Sequence, residues 1–459
     1  MTTGQQFRID VEEWLAGGAA PREVRDTTAE IVISVNSRLI TEVEDREAKT
    51  IRKSVRASAY PLALWLVSNW WRLRWEPYKE SGPNGSGLDW GLSHSLPATG
   101  GGYVWPPLML ASDGQNILLR CDAEETSEDA SLTPIRYLNS FDTAIKPDAF
   151  ETAISSFVEH VLARLDSLGC RQTLLHELWS TVYKERKDRA QGSRRKLEAL
   201  LGLDPDDNSD LINKLLNWQT TVGEQALEEI AAASESRQIQ AELDKAKTIA
   251  STVRTFVDIP GFETIKTDIR QQAVAVDTVP WKFGQRIAYR VRDAWEMGTG
   301  PVHTKDIADR LQVSEENLER YHVEAPFAFG IKGRQEDKLK IILNRAHEHS
   351  RRFDLMRLIG DFLVVETNDH WRPATRSLTA RQKFQRAFAA EFLCPSLDLA
   401  KRYPGPYNVD QLDEITTKIS QDYNVSARLA LNHLANRGSI PHLRTTTEDW
   451  RGGWSAIPY

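Results

Sequence analysis

Three places in the chain gather residue types able to hold a metal or move a proton. His347, Glu348 and His349 are consecutive, His176 precedes Glu177, and Arg357 stands four residues before Asp361. Zinc-dependent hydrolysis run from one helix needs histidines at i and i+4, which share a face, with a glutamate beside the first to activate water. Neither histidine group qualifies: His347-Glu348-His349 has no second histidine at i+4, and His176-Glu177 continues into Leu-Trp-Ser. Arg357 and Asp361 have the spacing but different chemistry. Arginine stays protonated and does not ligate zinc, and one carboxylate makes no dedicated zinc site, so the expectation there is an ion pair on one helix face. A fourth feature is the basic run 184–196, in which Lys184, Arg186, Lys187, Arg194, Arg195 and Lys196 are candidates for phosphate contact. A solvated face joining two helices is the plain alternative.

The elements that must carry these residues can be read from periodicity. Residues 28–40 alternate apolar and polar as a strand does, and residues 60–76, with apolar side chains around nearly the whole helical circumference, predict one buried helix. Residues 83–102, rich in Gly, Ser and Pro and ending in three glycines, predict a long surface loop. Short apolar runs at 103–110 and 115–121 flank Ser112-Asp113-Gly114 and predict a hairpin. Helical periodicity dominates 148–275, and 303–321 resembles a helix-turn-helix. In the last third, the strand-like Lys340–Asn344 leads through a polar linker into an amphipathic helix, and Arg381–Pro395 supplies a second helix facing it. Residues 412–440 predict two more helices about a turn, with Ser426 as N-cap.

These readings give a multidomain α+β chain. An aromatic-rich α+β domain is expected at 1–145, a helical region at 146–275, a mainly helical domain at 276–441 and a tail at 442–459. With 459 residues the chain is too long for one ordinary core. Its 58 basic and 65 acidic residues leave a net charge of −7, which gives no global attraction to nucleic acid or an anionic membrane. Three scattered cysteines support neither a disulfide framework nor a cysteine-rich zinc module and fit a reducing cytoplasm. Neither a signal-like start nor an apolar stretch long enough to span a bilayer is present, so no membrane partner is expected.

In order, spacing and wording, Ile341–Asn344, Arg351–Phe353 and Phe388–Pro395 resemble the ImmA/IrrE family of metallopeptidases. That family's pattern is a strand ending in Asn, an RRF entry, an HExxH helix and a later helix reading like FAAELLMP. The resemblance runs from about 283 to 441, roughly a third of the chain, and implies a zincin-type fold. Counted from RRF, it places the family's metal-binding histidines on Arg357 and Asp361 and its general base on Leu358. The third ligand falls on Gln382 or Phe384. None of these residues suits its role, so the resemblance implies a degenerate site with no catalytic residue, metal or cofactor. Arg357 and Asp361, completed by Gln382 and Arg386, are expected to form a polar cluster in place of zinc. The function implied is a non-catalytic regulator or scaffold that recognises a protein partner, in stress-response, mobile-element or phage-defence settings. A nucleic-acid-associated regulator using 184–196 and 303–321, and a hydrolase with an unorthodox site, are the alternatives.

Overall fold

The computed structural model describes residues 6–79, 86–123, 134–273, 279–320, 322–333, 335 and 337–440; the expected tail, 442–459, lies outside them. The chain is a mixed α+β protein with several small antiparallel sheets. It divides into two compact units, 1–212 and 213–459. The helical region expected at 146–275 is therefore shared between the units.

In the first unit, β1 (Phe7–Trp14) pairs antiparallel with β2 (Thr28–Val35). Their alternating residues bury Phe7, Ile9, Ile31 and Ile33 on one face, as a two-residue repeat requires. The reading of 28–40 as one strand needs correction. Asn36 and Ser37 take positive φ and turn the chain into β3 (Arg38–Leu39), which pairs back on β2. Beyond lie β4 (Val43–Asp45), β5 (Thr50–Arg52) and β6 (Val55–Ser58), the last completing the β2 sheet. The hairpin expected around Ser112-Asp113-Gly114 forms from β7 (Leu108–Ser112) and β8 (Ile117–Cys121). Asp113 Oδ1 accepts from the Gln115 and Asn116 amides, which closes the turn. β9 (Ile135–Tyr137) pairs with β4, and β10 (Phe141–Ile145) with β8.

The helix predicted over 60–76 is two helices, α1 (Ala59–Ser68) and α2 (Trp70–Trp75). The Asn69 amide side chain donates to the Trp65 carbonyl at 2.9 Å, alongside Asn69's own backbone N–H, a local bond that interrupts the helix. The surface loop predicted at 83–102 is likewise corrected: it contains α3 (Ser86–His94) and a 3₁₀ turn at Leu96–Thr99. Trp90 and His94, four residues apart, are both buried and stack with centroids 4.2 Å apart; that pairing outweighs the glycines around it. α4 (Pro147–Ser167), α5 (Leu174–Lys187) and α6 (Arg189–Leu200) follow. Phe150, Ile154, Phe157, Val158, Val161 and Leu165 form one apolar stripe on α4, and they enter the core built by β1 and α1.

The second unit holds α7 (Glu224–Ala231) and then β11 (Phe256–Asp258), a strand inside what the sequence presents as purely helical. Three residues are too few to show a period. Next come α8 (Phe262–Ala273), α9 (Pro280–Ala294), α10 (Thr304–Arg310) and α11 (Glu315–Glu319). β12 (Ala328–Lys332) and β13 (Lys338–Ile342) form a hairpin, and β14 (Trp371–Ala374) completes an antiparallel sheet of order β11-β13-β12-β14. α12 (Glu348–Val364) and α13 (Ala380–Leu393) pack on each other, and α13 also packs on α9. Two glycines set these approaches. A Cβ at Gly360 of α12 would lie 2.6 Å from the Phe388 ring, and one at Gly284 of α9 would lie 2.7 Å from the Phe384 carbonyl. α14 (Leu412–Tyr423) and α15 (Ala427–Asn436) close the unit, with Ser426 capping α15 by accepting from the Leu429 amide.

The stretch resembling a helix-turn-helix is α10 and α11, of seven and five residues. Glu315, Glu316 and Glu319 make the second helix acidic, the wrong charge for a phosphate backbone. Leu318 is buried and its carbonyl accepts from Arg351 Nε at 2.8 Å, so α11 serves the core behind α12. Tyr321 lies outside the described residues.

Candidate functional site

α12 carries five buried charges, Arg351, Arg352, Asp354, Arg357 and Asp361, each at most 4% exposed. Charged groups withdrawn from water must find compensation, and each of the five makes hydrogen bonds, with Arg352 Nε and Arg357 Nε left without a partner. Arg351 donates to the carbonyls of Leu318, Arg345 and Ala346, and Arg352 to those of Val302 and Asn424. Asp354 accepts from Arg345 and Arg357, and Arg357 and Asp361 meet α13.

Arg357 and Asp361 do not pair with each other, contrary to the expectation from their i and i+4 positions. Arg357 Nη1 donates to Asp354 Oδ1 at 3.0 Å and Nη2 to Gln382 Oε1 at 2.6 Å and to the Thr375 carbonyl. Asp361 accepts from Arg381 Nε and Nη2, both at 2.7 Å, and from Gln385 Nε2 at 3.0 Å, with Arg372 Nη1 at 3.6 Å. A planar guanidinium from the facing helix meets a carboxylate at two points, which a neighbour on the same helix cannot match. Arg381 also reaches Asp369 Oδ2 at 3.4 Å.

Of the four residues expected to form a cluster, Arg357 and Gln382 are in direct contact. Asp361 belongs to the adjoining Arg381 group. Arg386 is outside: its Nη1 donates to the Ser377 carbonyl at 2.9 Å. Phe384 faces the other way, packing on Phe283 with ring centroids 5.5 Å apart and on Phe388 at 6.3 Å. Leu358 is fully buried in the apolar core. Arg372, Arg381 and Gln385 escaped the sequence reading. The signal was present in Arg381 and Gln385, which stand at i and i+4 on α13 as Arg357 and Asp361 do on α12.

Burial alone would raise the Asp361 carboxyl, but the Arg381 guanidinium, followed by Arg372 and the Gln385 amide, reverses this and holds it below its ordinary value. Burial would lower Arg381, and Asp361 raises it instead. Arg357 and Arg372 remain lowered by burial, their partners offsetting it in part. Glu229 of α7, which accepts from the Thr379 hydroxyl at 2.7 Å, is raised by burial despite the nearby Arg381. The site therefore holds ion pairs locked by hydrogen bonds. Among the described residues, no group of three or more His, Cys, Asp or Glu side chains is placed to hold a metal ion.

Next to this network lies a cleft of about 750 Å³, lined in part by Phe262, Lys266, Lys332, Phe362, Asp369 and Arg372. Asp369 and Arg372 belong to both, so the cleft opens onto the side of the ion network.

Five of the six basic candidates in the run of the first unit have internal partners. Arg195 is 6% exposed and donates to Glu185 at 2.8 Å, Glu198 at 2.8 Å and Asp206 at 2.7 Å. Arg194 pairs with Glu198 and Asp206. Arg186 covers the Trp70 ring and donates to Glu151, Lys187 covers and donates to Tyr183, and Lys196 covers Trp75. Lys184 is exposed. Asp188 breaks the run by capping α6, accepting from the Ala190 and Gln191 amides. A second buried set passed unnoticed in the sequence. Glu76 accepts from Arg72 Nε at 2.7 Å and lies 3.0 Å from His94 Nε2, while His94 Nδ1 lies 2.7 Å from the Leu110 carbonyl. Burial would raise Glu76, but His94, Lys79 and Arg72 bring it down to about 2.

Among the described residues, no helix is long and apolar enough to cross a membrane. Comparisons of the chain with models of protein families, with curated proteins and with solved structures find no match.

Proposed function

We propose that the second unit is a non-catalytic recognition module of the ImmA/IrrE-like type that its sequence resembles, and that the protein acts as a regulator or scaffold through a protein partner. The observation that carries this reading is the way α12 and α13 are joined. Positions 357 and 361, where that resemblance expects metal-binding histidines, hold an arginine tied to Gln382 and an aspartate clasped by Arg381. A protonated guanidinium repels a divalent cation, and a carboxylate already satisfied by two guanidinium N–H groups and an amide has little left to offer one. Leu358, at the position of the family's base, has no proton to move. What this arrangement supplies is a rigid seam between two helices beside an open cleft, which suits binding rather than turnover. A stress-response, mobile-element or phage-defence setting follows from the resemblance alone.

The test is elemental analysis of the purified full chain for zinc, together with hydrolysis of casein with and without added zinc. The expected result is zinc well below one per chain and no hydrolysis. One zinc per chain, with hydrolysis abolished by a chelator, refutes the reading.

A further inference from the structure

The cleft beside the ion network has an unusual floor. Arg372 lines it, is 4% exposed, and has no carboxylate oxygen nearer than 3.6 Å among the described residues. Its Nη1 donates to the Val365 carbonyl at 2.8 Å and stands 3.6 Å from an Asp361 carboxylate already claimed by Arg381. Arg372 Nε is buried without any hydrogen-bond partner. A buried guanidinium whose nearest anion is taken by another cation is under-compensated, a costly condition that an incoming anion relieves.

The rim adds to this. Lys266 and Lys332 line the cleft, and neither ammonium has a carboxylate partner among the described residues, Lys266 lying over the Phe262 ring at 5.0 Å. Arg270 is spent on Glu366 across the mouth. Counting Glu224 and Asp369 as well, the lining has four permanent cations against three carboxylates. That excess favours an anion over a cation. Phe262 and Phe362 stack with centroids 5.0 Å apart and offer an apolar wall to a side-chain stem. Gln219, Thr220, Thr367 and Asn368 supply groups able to bond a peptide backbone.

We infer that this cleft binds an acidic segment of the partner protein, with the carboxylate of a glutamate or aspartate lying against Arg372 and the flanking chain between Lys266 and Lys332. This rests on the proposed function for the partner's being a protein; the carboxylate chemistry comes from the cleft itself. A single guanidinium presents the fork of donors that a planar carboxylate matches, and the half-buried Lys266 and exposed Lys332 draw an acidic segment in.

The experiment is calorimetric titration of the full chain with capped hexaglutamate, with hexaglutamine as control and inorganic phosphate in a separate arm. Hexaglutamate is expected to bind and hexaglutamine not. Lys266→Glu/Lys332→Glu, with an unchanged melting temperature, is expected to weaken binding by about tenfold or more. Lys184→Glu/Lys187→Glu, an equal change of charge in the first unit, should leave binding as it was. The inference is overturned by absence of hexaglutamate binding, by equal weakening in the two double variants, or by phosphate binding where hexaglutamate does not. A zinc-free, inactive protein that ignores hexaglutamate overturns this inference alone and leaves the non-catalytic reading standing.

Discussion

Arg381 clasps Asp361 at two points, Nε to Oδ1 and Nη2 to Oδ2, both at 2.7 Å, across the seam between α12 and α13. The two residues are twenty positions apart, and both are enclosed where the resemblance to metallopeptidases expects a metal. In a metallopeptidase of that design a cation draws ligands from two helices together. Here a guanidinium carried by one helix closes on a carboxylate carried by the other.

Removing the carboxylate should therefore cost more than removing the pair. Asp361→Ala leaves Arg381 and Arg372 buried with a lost partner and is expected to destabilise the second unit by about 3–5 kcal/mol. Asp361→Leu/Arg381→Met replaces the pair with apolar groups and should recover a large part of that loss. Urea denaturation of wild type and both variants measures it. Equal destabilisation of the single and the double variant removes the pair from the account of stability.

Acid should act on the same seam in two opposite senses. The Asp361 carboxyl is lowered in the folded protein, so its stabilising contribution is present above the unfolded value of about 3.9 and is lost as pH falls through the lower folded one. Glu229 is raised. Its folded form keeps a proton that the unfolded chain releases, which costs stability as pH rises from the unfolded value of about 4.3 to the folded one. Glu229→Gln should thus stabilise the protein at neutral pH and lose that advantage near pH 3, as read from thermal melts across pH. A variant that is less stable than wild type at pH 7 contradicts the assignment.

How much of this the sequence disclosed depends on whether the signal was local. Ser426 announced its cap and Ser112-Asp113-Gly114 its turn, because each acts within a few residues. Arg357 and Asp361 were correctly seen as one face of one helix, yet their partners come from α13, and spacing along one helix says nothing about which side chain the next will bring. The same limit explains Phe384. The resemblance puts the third-ligand position on Gln382 or Phe384, and two residues along a helix rotate a side chain by more than half a turn, which takes Phe384 toward Phe283 and away from the seam. Trp90 and His94 were hidden by the opposite error, since composition called 83–102 a loop while two residues four apart were enough to fold part of it.

The end of α13 provides a further test. Glu391 is 1% exposed, and its Oε1 accepts from the Tyr289 hydroxyl of α9 and from the Ser396 amide and hydroxyl, the last two at 2.7 Å. One carboxylate oxygen thus fixes both the turn after α13 and the contact with α9. Tyr289→Phe removes one charge-assisted bond and should cost about 1.5–3 kcal/mol. Glu391→Ala strands every donor and should cost more. The two variants compared in urea separate a shared anchor from ordinary packing; a harmless Glu391→Ala dismisses the anchor.

In the first unit, Arg195 separates an internal role for the basic run from a nucleic-acid role. Its guanidinium is enclosed by Glu185, Glu198 and Asp206, and Glu185 Oε2 also accepts from the Trp71 indole at 2.9 Å. Arg195→Ala leaves the buried Glu185 without its cation and Glu198 with Arg194 alone, and should lower stability by about 3–5 kcal/mol. Lys184→Ala, at an exposed position of the same run, should change stability by less than about 0.5 kcal/mol. For DNA the expectation is the reverse of a phosphate-binding surface: wild type shows no retention on a DNA column at low salt, and neither substitution alters its elution. Retention that falls steeply with salt and is weakened by Lys184→Ala would instead place the run on a nucleic-acid surface, because release of counterions from phosphates gives that salt dependence and an exposed lysine can be removed without disturbing the fold.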